Sequence, residues 1–390
     1  MKKESEEVNI KYFDNSATTK TDEDVIKTML PYFNKLYGNP SSLYTLGKIS
    51  KEMINSSKNV IAKILKCKPS EIYFTSGGTE SDNLAIKGIA IANKRKGNHI
   101  ITTRIEHPAV LNTCSYLEKI GFKVTYLNVD ENGRINLDEL KRAINYNTIL
   151  ISIMAVNNEI GTIQDLEPIG EIAQKNKVYF HSDCVQAIGN IKIDVKKMNL
   201  DSISLSGHKF YGPKGIGILY IKEGIDFFRL QDGGHQENDK RAGTENVPGI
   251  IGISRALELS EINFKNIVYK NKLLSEYLIN EIKNNIPYSR LNGGNENRAN
   301  SICNFSFKGV NGRELVEELD KANICVSNGS ACSAGIVPVS EVLKAIKVPY
   351  EYLNGSIRIS LGKNNNKEEV DYLLYNLIEC IKKLREKNRA

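Results

Sequence analysis

Val178-Tyr-Phe-His-Ser-Asp183 is a short, mainly apolar and aromatic stretch that predicts a buried β-strand ending on an acidic side chain. Between about residues 50 and 260, similar β-branched runs alternate with amphipathic helical stretches. The other runs are His99–Thr103, Val124–Val129, Thr148–Val156, Ser202–Leu205 and Gly215–Ile221. This alternation predicts an α/β fold whose mainly parallel mixed sheet is flanked by helices.

The last part of the chain has a different pattern. A long helical segment follows Phe264, a weaker strand is predicted around Ser301–Phe307, and the chain closes on a helix with one apolar face. That face carries Val370, Leu373, Leu374, Leu377, Ile378, Ile381 and Leu384. We predict a large domain over residues 15–262, and a smaller α+β domain formed by residues 1–14 and 263–390.

Composition restricts the class of protein. The chain has 390 residues, of which 41% are hydrophobic and 25% charged, as in an ordinary globular protein. Its net charge of +7 is spread along the sequence, so no nucleic-acid-binding arm is expected. The longest strongly apolar run, Ile149–Val156, is too short for a membrane span. The seven cysteines show no disulfide or zinc spacing, and we expect a cytoplasmic protein.

One lysine lies in a setting suited to covalent chemistry. The segment Ser206-Gly-His-Lys-Phe-Tyr-Gly-Pro-Lys-Gly-Ile-Gly217 follows a predicted strand and surrounds Lys209 with glycines and polar groups. A lysine in such a loop can form an imine with an aldehyde cofactor, while Ser206 and His208 donate to its phosphate. The alternative is a surface lysine in a glycine-rich turn.

Two further stretches favour a phosphate-bearing cofactor. Thr75-Ser-Gly-Gly-Thr-Glu-Ser81 joins a short strand to the helical run Asp82–Ala92, so its amides and the helix dipole can meet a phosphate. Asp183 ends a buried strand and could pair with a protonated pyridine nitrogen, while Gln186 could donate to a phenolic oxygen. The alternatives are an ordinary helix start for the first stretch and an N-cap role for Asp183.

Sequence blocks extending from Tyr12 to Gly362 carry a family resemblance. They are Tyr12-Phe-Asp-Asn-Ser-Ala-Thr-Thr19, Gly38-Asn-Pro-Ser-Ser42, Phe74-Thr-Ser-Gly-Gly-Thr-Glu80, Glu106-His-Pro108, Asn157-Asn-Glu-Ile-Gly161, the Lys209 segment, Arg241-Ala-Gly-Thr-Glu-Asn246, Gly329-Ser-Ala-Cys332 and Ser356-Ile-Arg-Ile-Ser-Leu-Gly362. The chain resembles the cysteine desulfurases of the class V, fold-type I pyridoxal-phosphate family, in the branch of the nitrogenase and housekeeping iron–sulfur enzymes.

The resemblance implies a role for each matching residue. Lys209 would hold pyridoxal 5'-phosphate as a Schiff base and serve as the main base at the substrate Cα, with His107 stacked on the ring and taking part in proton transfer. The remaining cofactor contacts would be Asp183 and Gln186 on the ring, and Gly78, Thr79, Ser206 and His208 on the phosphate. Thr244 would reach the phosphate of a partner subunit, which implies a homodimer. Asn158 and Arg358 would bind the carboxylate of L-cysteine.

Cys332 is the expected nucleophile. It lies in Ser327-Asn-Gly-Ser-Ala-Cys-Ser-Ala-Gly335, whose small residues predict an exposed loop that can move. The resemblance implies that its thiolate takes the substrate sulfur as a persulfide, releases alanine and passes the sulfur to an iron–sulfur scaffold or a tRNA-thiolation relay. As a further hypothesis, Cys332 also lends a ligand to a nascent iron–sulfur cluster on such a partner.

Some positions depart from the family pattern, and other functions remain open. Tyr44 and His235 replace residues usual in the family, and Cys184 follows Asp183 where a small residue is common; we expect Cys184 to be buried and inert. Cys325, seven residues before Cys332, lies in a predicted strand.

The competing functions are a selenocysteine lyase or an aminotransferase on the same fold, and a non-catalytic protein that docks scaffolds.

Overall fold

The computed structural model describes residues 9–328 and 339–388. Its strands are Lys11–Tyr12 (β1), Ile72–Thr75 (β2), His99–Thr103 (β3), Lys123–Leu127 (β4), Thr148–Ser152 (β5), Tyr179–Asp183 (β6), Ser202–Ser206 (β7), Gly217–Ile221 (β8), Ser289–Asn292 (β9), Ile302–Phe307 (β10), Ile324–Cys325 (β11) and Ser356–Ser360 (β12).

Helices flank these strands. They are Glu23–Met29 (α1), Pro31–Asn34 (α2), Thr45–Leu65 (α3), Gly78–Ala92 (α4), Pro108–Lys119 (α5), Leu137–Ala143 (α6), Leu166–Lys175 (α7), Gln236–Asp239 (α8), Val247–Ile262 (α9), Phe264–Asn285 (α10), Gly312–Asp320 (α11), Glu341–Ala345 (α12), Tyr350–Leu353 (α13) and Lys367–Lys387 (α14). Within the described residues, no helix is both long and apolar enough to cross a membrane.

A seven-stranded sheet forms the centre of the larger α/β layer, in the order β2-β8-β7-β6-β5-β3-β4. Neighbouring strands from β7 to β4 pair in parallel, whereas β8 runs antiparallel to both β2 and β7. The residues of β3, β5, β7 and β8 are all buried, as expected for strands covered by helices on both faces. The predicted α/β class and the mainly parallel sheet are therefore confirmed.

A second apolar core surrounds the antiparallel sheet β12-β10-β9. Helix α14 covers it with the face predicted from the sequence, and the Phe305 and Phe307 rings stack with centroids 6.1 Å apart. Phe13 belongs to the same core, because β1 pairs in parallel with β11 and carries the start of the described chain there. The boundary drawn between residues 262 and 263 stays a prediction.

Candidate active site

The ends of β6 and β7 bring the predicted cofactor residues together. Because these strands are parallel and adjacent, their carboxyl ends meet at one edge of the sheet, where Asp183 ends β6 and Ser206 ends β7. A single 3₁₀ turn over Gly207–Lys209 then presents the lysine. Gly207 is required at that turn, since a Cβ there would lie 2.9 Å from the Pro213 carbonyl oxygen.

Lys209 and Gln186 converge on the chain near the start of the described structure. The Lys209 Nζ donates to the carbonyl oxygens of Ser16 at 2.6 Å and Ala17 at 2.9 Å. Gln186 Nε2 donates to the same Ser16 oxygen at 2.8 Å. The predicted imine-forming lysine and the predicted ring-oxygen donor therefore lie side by side.

His107 and Asp183 interact electrostatically at the carboxyl ends of the strands. His107 is the N-cap of α5, and its Nδ1 accepts from the Ala109 amide at 3.1 Å, which leaves the proton of the neutral ring on Nε2. Burial lowers the pKa of His107, and the Asp183 carboxylate partly offsets this effect. Burial also raises the pKa of Asp183, against the opposing influence of His107, the Val185 amide and Lys209.

The start of α4 forms a cradle for an anion. Its N-cap, Gly77, has no side chain to bond the first-turn amides of the helix, and Ser206 Oγ lies 3.7 Å from where a Gly77 Cβ would be. A Cβ on Gly78 would lie 2.6 Å from Val185 Cγ2, so the helix start packs closely on the turn after Asp183. Thr79 follows with an exposed side chain. Nearby, burial lowers the pKa of His208 to about 4, leaving it neutral.

These residues fit pyridoxal 5'-phosphate. The helix start offers uncapped amides and hydroxyl groups suited to a phosphate. The buried Asp183 carboxylate has no ion-pair partner within 4 Å among the described residues, and a protonated pyridine nitrogen would supply one. Lys209 interacts electrostatically with Asp183, so an amine able to form an imine lies near the carboxylate that would pair with the ring.

Arg358 forms the second half of the site. Its side chain is only 6% exposed, and it forms an ion pair with Asp14 through Nη2 at 2.8 Å. The Nη1 group donates to the Asn158 carbonyl oxygen at 3.0 Å, and the buried Nε has no hydrogen-bond partner among the described residues. Asp14 lies two residues before Ser16, the first of the two residues whose carbonyl oxygens Lys209 binds. Donors suited to a carboxylate are therefore linked to the Lys209 site by a few residues of backbone.

The segment that contains Cys332 begins and ends beside these residues. Cys332 itself lies outside the described residues. Before it, the Ser327 and Arg358 backbones exchange hydrogen bonds of 3.1 and 2.6 Å. After it, Ser340 Oγ donates to Glu159 Oε2 at 2.6 Å and also caps α12. Both flanks are thus attached next to the predicted carboxylate-binding groups.

Comparison with known proteins agrees with this geometry. The model of the aminotransferase class-V family matches residues 11–373. The chain belongs to the aminotransferase class-V family. Within the family it is 51% identical, over 374 residues, to a protein named cysteine desulfurase IscS from Methanosarcina thermophila, covering 96% of this chain and 92% of the relative.

Solved structures extend this similarity to the fold. A structure described as a NifS-like protein is 39% identical and superposes with a TM-score of 0.90, covering 95% of this class-V chain and 99% of the other. A structure described as SspA in complex with cysteine is 38% identical, with a TM-score of 0.80 and coverages of 90% and 98%. The predicted family, cysteine desulfurase function, L-cysteine substrate and pyridoxal-phosphate dependence are confirmed.

Other sequence predictions for this class-V chain have mixed outcomes. Cys184 is completely buried, as expected, and burial raises the pKa of its thiol. Asp183 is followed by a turn rather than a helix, and its carboxylate accepts from the Val185 amide at 2.9 Å, so it caps no helix. Thr244 is exposed and stays only a predicted contact to a partner subunit. Among the described residues, no group of His, Cys, Asp or Glu could hold a metal ion.

Sequence reasoning assigned no role to several residues that support the site. Asp14 lies in the matching block Tyr12–Thr19, where it pairs with Arg358, and Glu159 lies in the block Asn157–Gly161, where it accepts from Ser340. Their partners are 344 and 181 residues away in the chain. An acidic residue within a matching block was the available signal for both.

Proposed function

We propose that Lys209, Asp183 and His107 bind and use pyridoxal 5'-phosphate to release L-alanine from L-cysteine, leaving a persulfide on Cys332. The proposal rests on the way Lys209 and Arg358 bind one short segment of the chain. Lys209 donates to the carbonyl oxygens of Ser16 and Ala17, and Arg358 forms an ion pair with Asp14. This arrangement provides a cofactor-binding amine and a carboxylate-binding guanidinium in one site. Both flanks of the Cys332 segment are attached beside that guanidinium.

The cofactor, when bound, withdraws electrons from the substrate Cα. The protein residues hold it in place and move protons. Asp183 would keep the pyridine nitrogen protonated, and Gln186 would donate to the ring oxygen. The phosphate would be bound by Gly78, Thr79, Ser206 and His208. Lys209 would form the covalent bond to the cofactor and, once displaced by substrate, would remove the Cα proton.

Arg358 and Asn158 orient the substrate in this proposal. Arg358 already uses one donor on Asp14 and one on the Asn158 carbonyl oxygen, which fixes the plane of the guanidinium. Its remaining donors, including the unpartnered Nε, can bind a carboxylate in two-point fashion. Two-point binding of the carboxylate would fix the orientation of L-cysteine in the site, and with it the position of the substrate sulfur.

Cys332 then accepts the sulfur. Its thiolate attacks the substrate sulfur, a sulfur–sulfur bond forms and the substrate carbon–sulfur bond breaks. The substrate carbon retains the bonding electron pair and takes up a proton, so the amino acid leaves as L-alanine. His107 is suited to carry protons here, because its Nε2 bears the proton and its Nδ1 is occupied by the Ala109 amide.

A homodimer is part of the proposal. Residues 30–44 carry large apolar side chains that this single chain leaves exposed, including Phe33, Tyr37 and Leu43, the last 87% exposed. Exposed apolar patches of this kind mark association surfaces. The exposed Thr244 would then be available to the phosphate of the second subunit.

The persulfide would be passed to an acceptor protein, for which we propose an iron–sulfur scaffold, with a tRNA-thiolation relay as the alternative. Transfer of the sulfur would run from the Cys332 persulfide to a cysteine thiol of the acceptor. In the same proposal Cys332 contributes a ligand to a nascent cluster on the scaffold. The expected cytoplasmic location and the expected lack of direct nucleic-acid binding stay predictions.

The first experiment compares the visible spectrum of purified protein before and after addition of L-cysteine, with alanine and protein-bound ³⁵S measured in parallel. The Cys332→Ala variant should keep the cofactor and its spectral response but form no alanine and retain no label. The Lys209→Ala variant should lack the imine absorption band. Cys380→Ala, which removes a half-buried cysteine on α14, is the matched control and should behave as the unaltered protein. Alanine formation by Cys332→Ala at the normal rate would refute the role of that residue.

A further inference from the structure

A buried carboxyl group with no assigned function lies on α4, the helix that begins at the predicted phosphate cradle. Asp82 projects from α4 one turn after Gly78 and is only 1% exposed. Its Oδ1 has no hydrogen-bond partner among the described residues, and His181 Nε2 lies 3.6 Å away. Helix α4 thus supplies both the predicted phosphate cradle and an acidic group beneath it.

The surroundings of Asp82 are polar but uncharged. His181 lies two residues before Asp183 on β6, so both side chains point to the same face of the sheet. Ser152 and Ser204 Oγ lie 2.9 and 3.1 Å from the two His181 ring nitrogens. Burial lowers the pKa of His181 to about 3, so this ring is neutral and does not compensate a carboxylate. The Ser204 hydroxyl also bonds the Asp82 carboxyl.

Asp82 and Asp183 are both buried and interact electrostatically, and such a pair of carboxyl groups favours a single negative charge. The negative charge is more stable on Asp183 than on Asp82. The Asp183 carboxylate accepts a hydrogen bond from the Val185 amide and interacts electrostatically with Lys209 and His107. Asp82 has only the Ser204 hydroxyl. Burial raises the pKa of Asp82 well above its usual range, and Asp183 raises it further, with a smaller contribution from Glu106.

We propose that Asp82 is held as a neutral carboxylic acid, so that the one negative charge of this buried pair stays on Asp183, where it faces the cofactor nitrogen. The inference rests on the proposed role of Asp183. Protonation also removes the charge from a buried carboxyl group whose Oδ1 has no hydrogen-bond partner among the described residues, and so lowers the cost of burying it. Asp82 is therefore a positioning residue that fixes the charge of Asp183 without touching the cofactor.

Infrared spectroscopy of the cofactor-loaded protein at neutral pH tests the protonation state directly. The unaltered protein should have a carbonyl band of a protonated carboxylic acid that is absent in Asp82→Asn, shifts on exchange into heavy water, and requires no turnover. Glu106→Gln is the matched control, because it removes another buried acid and should leave the Asp82 band in place. Loss of a carboxylate band in Asp82→Asn, with no acid band lost, would overturn the proposal.

A second variant keeps the test decisive should Asp82→Asn fail to fold. Ser204→Ala removes the hydroxyl that bonds the Asp82 carboxyl, and should move the same acid band to higher frequency. A shift of a carboxylate band instead would count against a neutral Asp82. Failure of the charge assignment leaves the visible cofactor band of the unaltered protein intact, whereas absence of that band would refute the proposed function itself.

Discussion

Replacing Arg358 by lysine tests how the site selects a carboxylate. Lysine keeps the positive charge but lacks the planar fork of donors with which Arg358 bonds Asp14 and the Asn158 carbonyl oxygen. In the proposed function the remaining donors of that fork bind the substrate carboxylate. Because the Arg358 side chain is only 6% exposed, water cannot replace the lost donors. Hydrogen bonds to charged groups contribute about 2–3 kcal/mol, so kcat/KM for L-cysteine should fall about 30- to 150-fold.

The assay measures alanine formation against L-cysteine concentration, beside spectral titration of cofactor binding. The loss should fall mainly on KM, with cofactor affinity retained. Arg313→Lys is the control: Arg313 forms an ion pair with Glu317 on the surface of α11, where its side chain is 62% exposed, and it should have no effect. An Arg358→Lys variant with an unaltered KM, or one that only loses cofactor, would refute substrate binding by Arg358.

The remaining predictions concern chemistry, stability and pH. Lys209→Arg should keep the charge but abolish both the imine band and alanine formation, as read from visible spectra. Cys332→Ser should still give a spectral response to L-cysteine, and persulfide detection on that variant would refute the assignment. Phe305→Ala empties a fully buried site stacked on Phe307 and should lower the free energy of unfolding by about 3–5 kcal/mol in denaturant titrations. Burial raises the pKa of Glu106 to about 8, so its contribution to stability is present below its unfolded pKa near 4.5 and is lost as pH rises to 8. Glu106→Gln should flatten that decline in unfolding experiments, and an equally steep decline would contradict it.

The fold was predictable where local pattern and burial agree. Strand β3 has the predicted bounds of His99–Thr103, because the four residues after His99 are β-branched and the whole strand is buried. Strand β5 ends at Ser152 rather than Val156, although the Ile153 and Ala155 amides still bond the β6 backbone. The order of the strands and the antiparallel direction of β8 depend on contacts between distant segments, which periodicity does not encode.

The sequence singles out the residues proposed to react, but not the residues that contact and support them. Lys209 and Asp183 stand out in the sequence because a lysine among glycines and an acid after a buried strand need an explanation. Asp14 and Asp82 do not stand out, since one follows a short strand and the other opens an apparently ordinary helical run. Their importance appears only when Arg358 and His181 are brought beside them in the folded chain.

The attachment of Ser327 to Arg358 sets a geometric limit on sulfur delivery. Five Cα–Cα steps separate Ser327 from Cys332. At about 3.5 Å per step, the Cα of Cys332 can lie no farther than about 18 Å from that of Ser327 while the backbone pairing persists. An acceptor that takes sulfur from Cys332 must therefore bring its own thiol inside a sphere centred close to Arg358, the proposed carboxylate-binding residue. Shortening or lengthening the stretch between these two residues would change the radius of that sphere, and with it the set of proteins that can receive the sulfur.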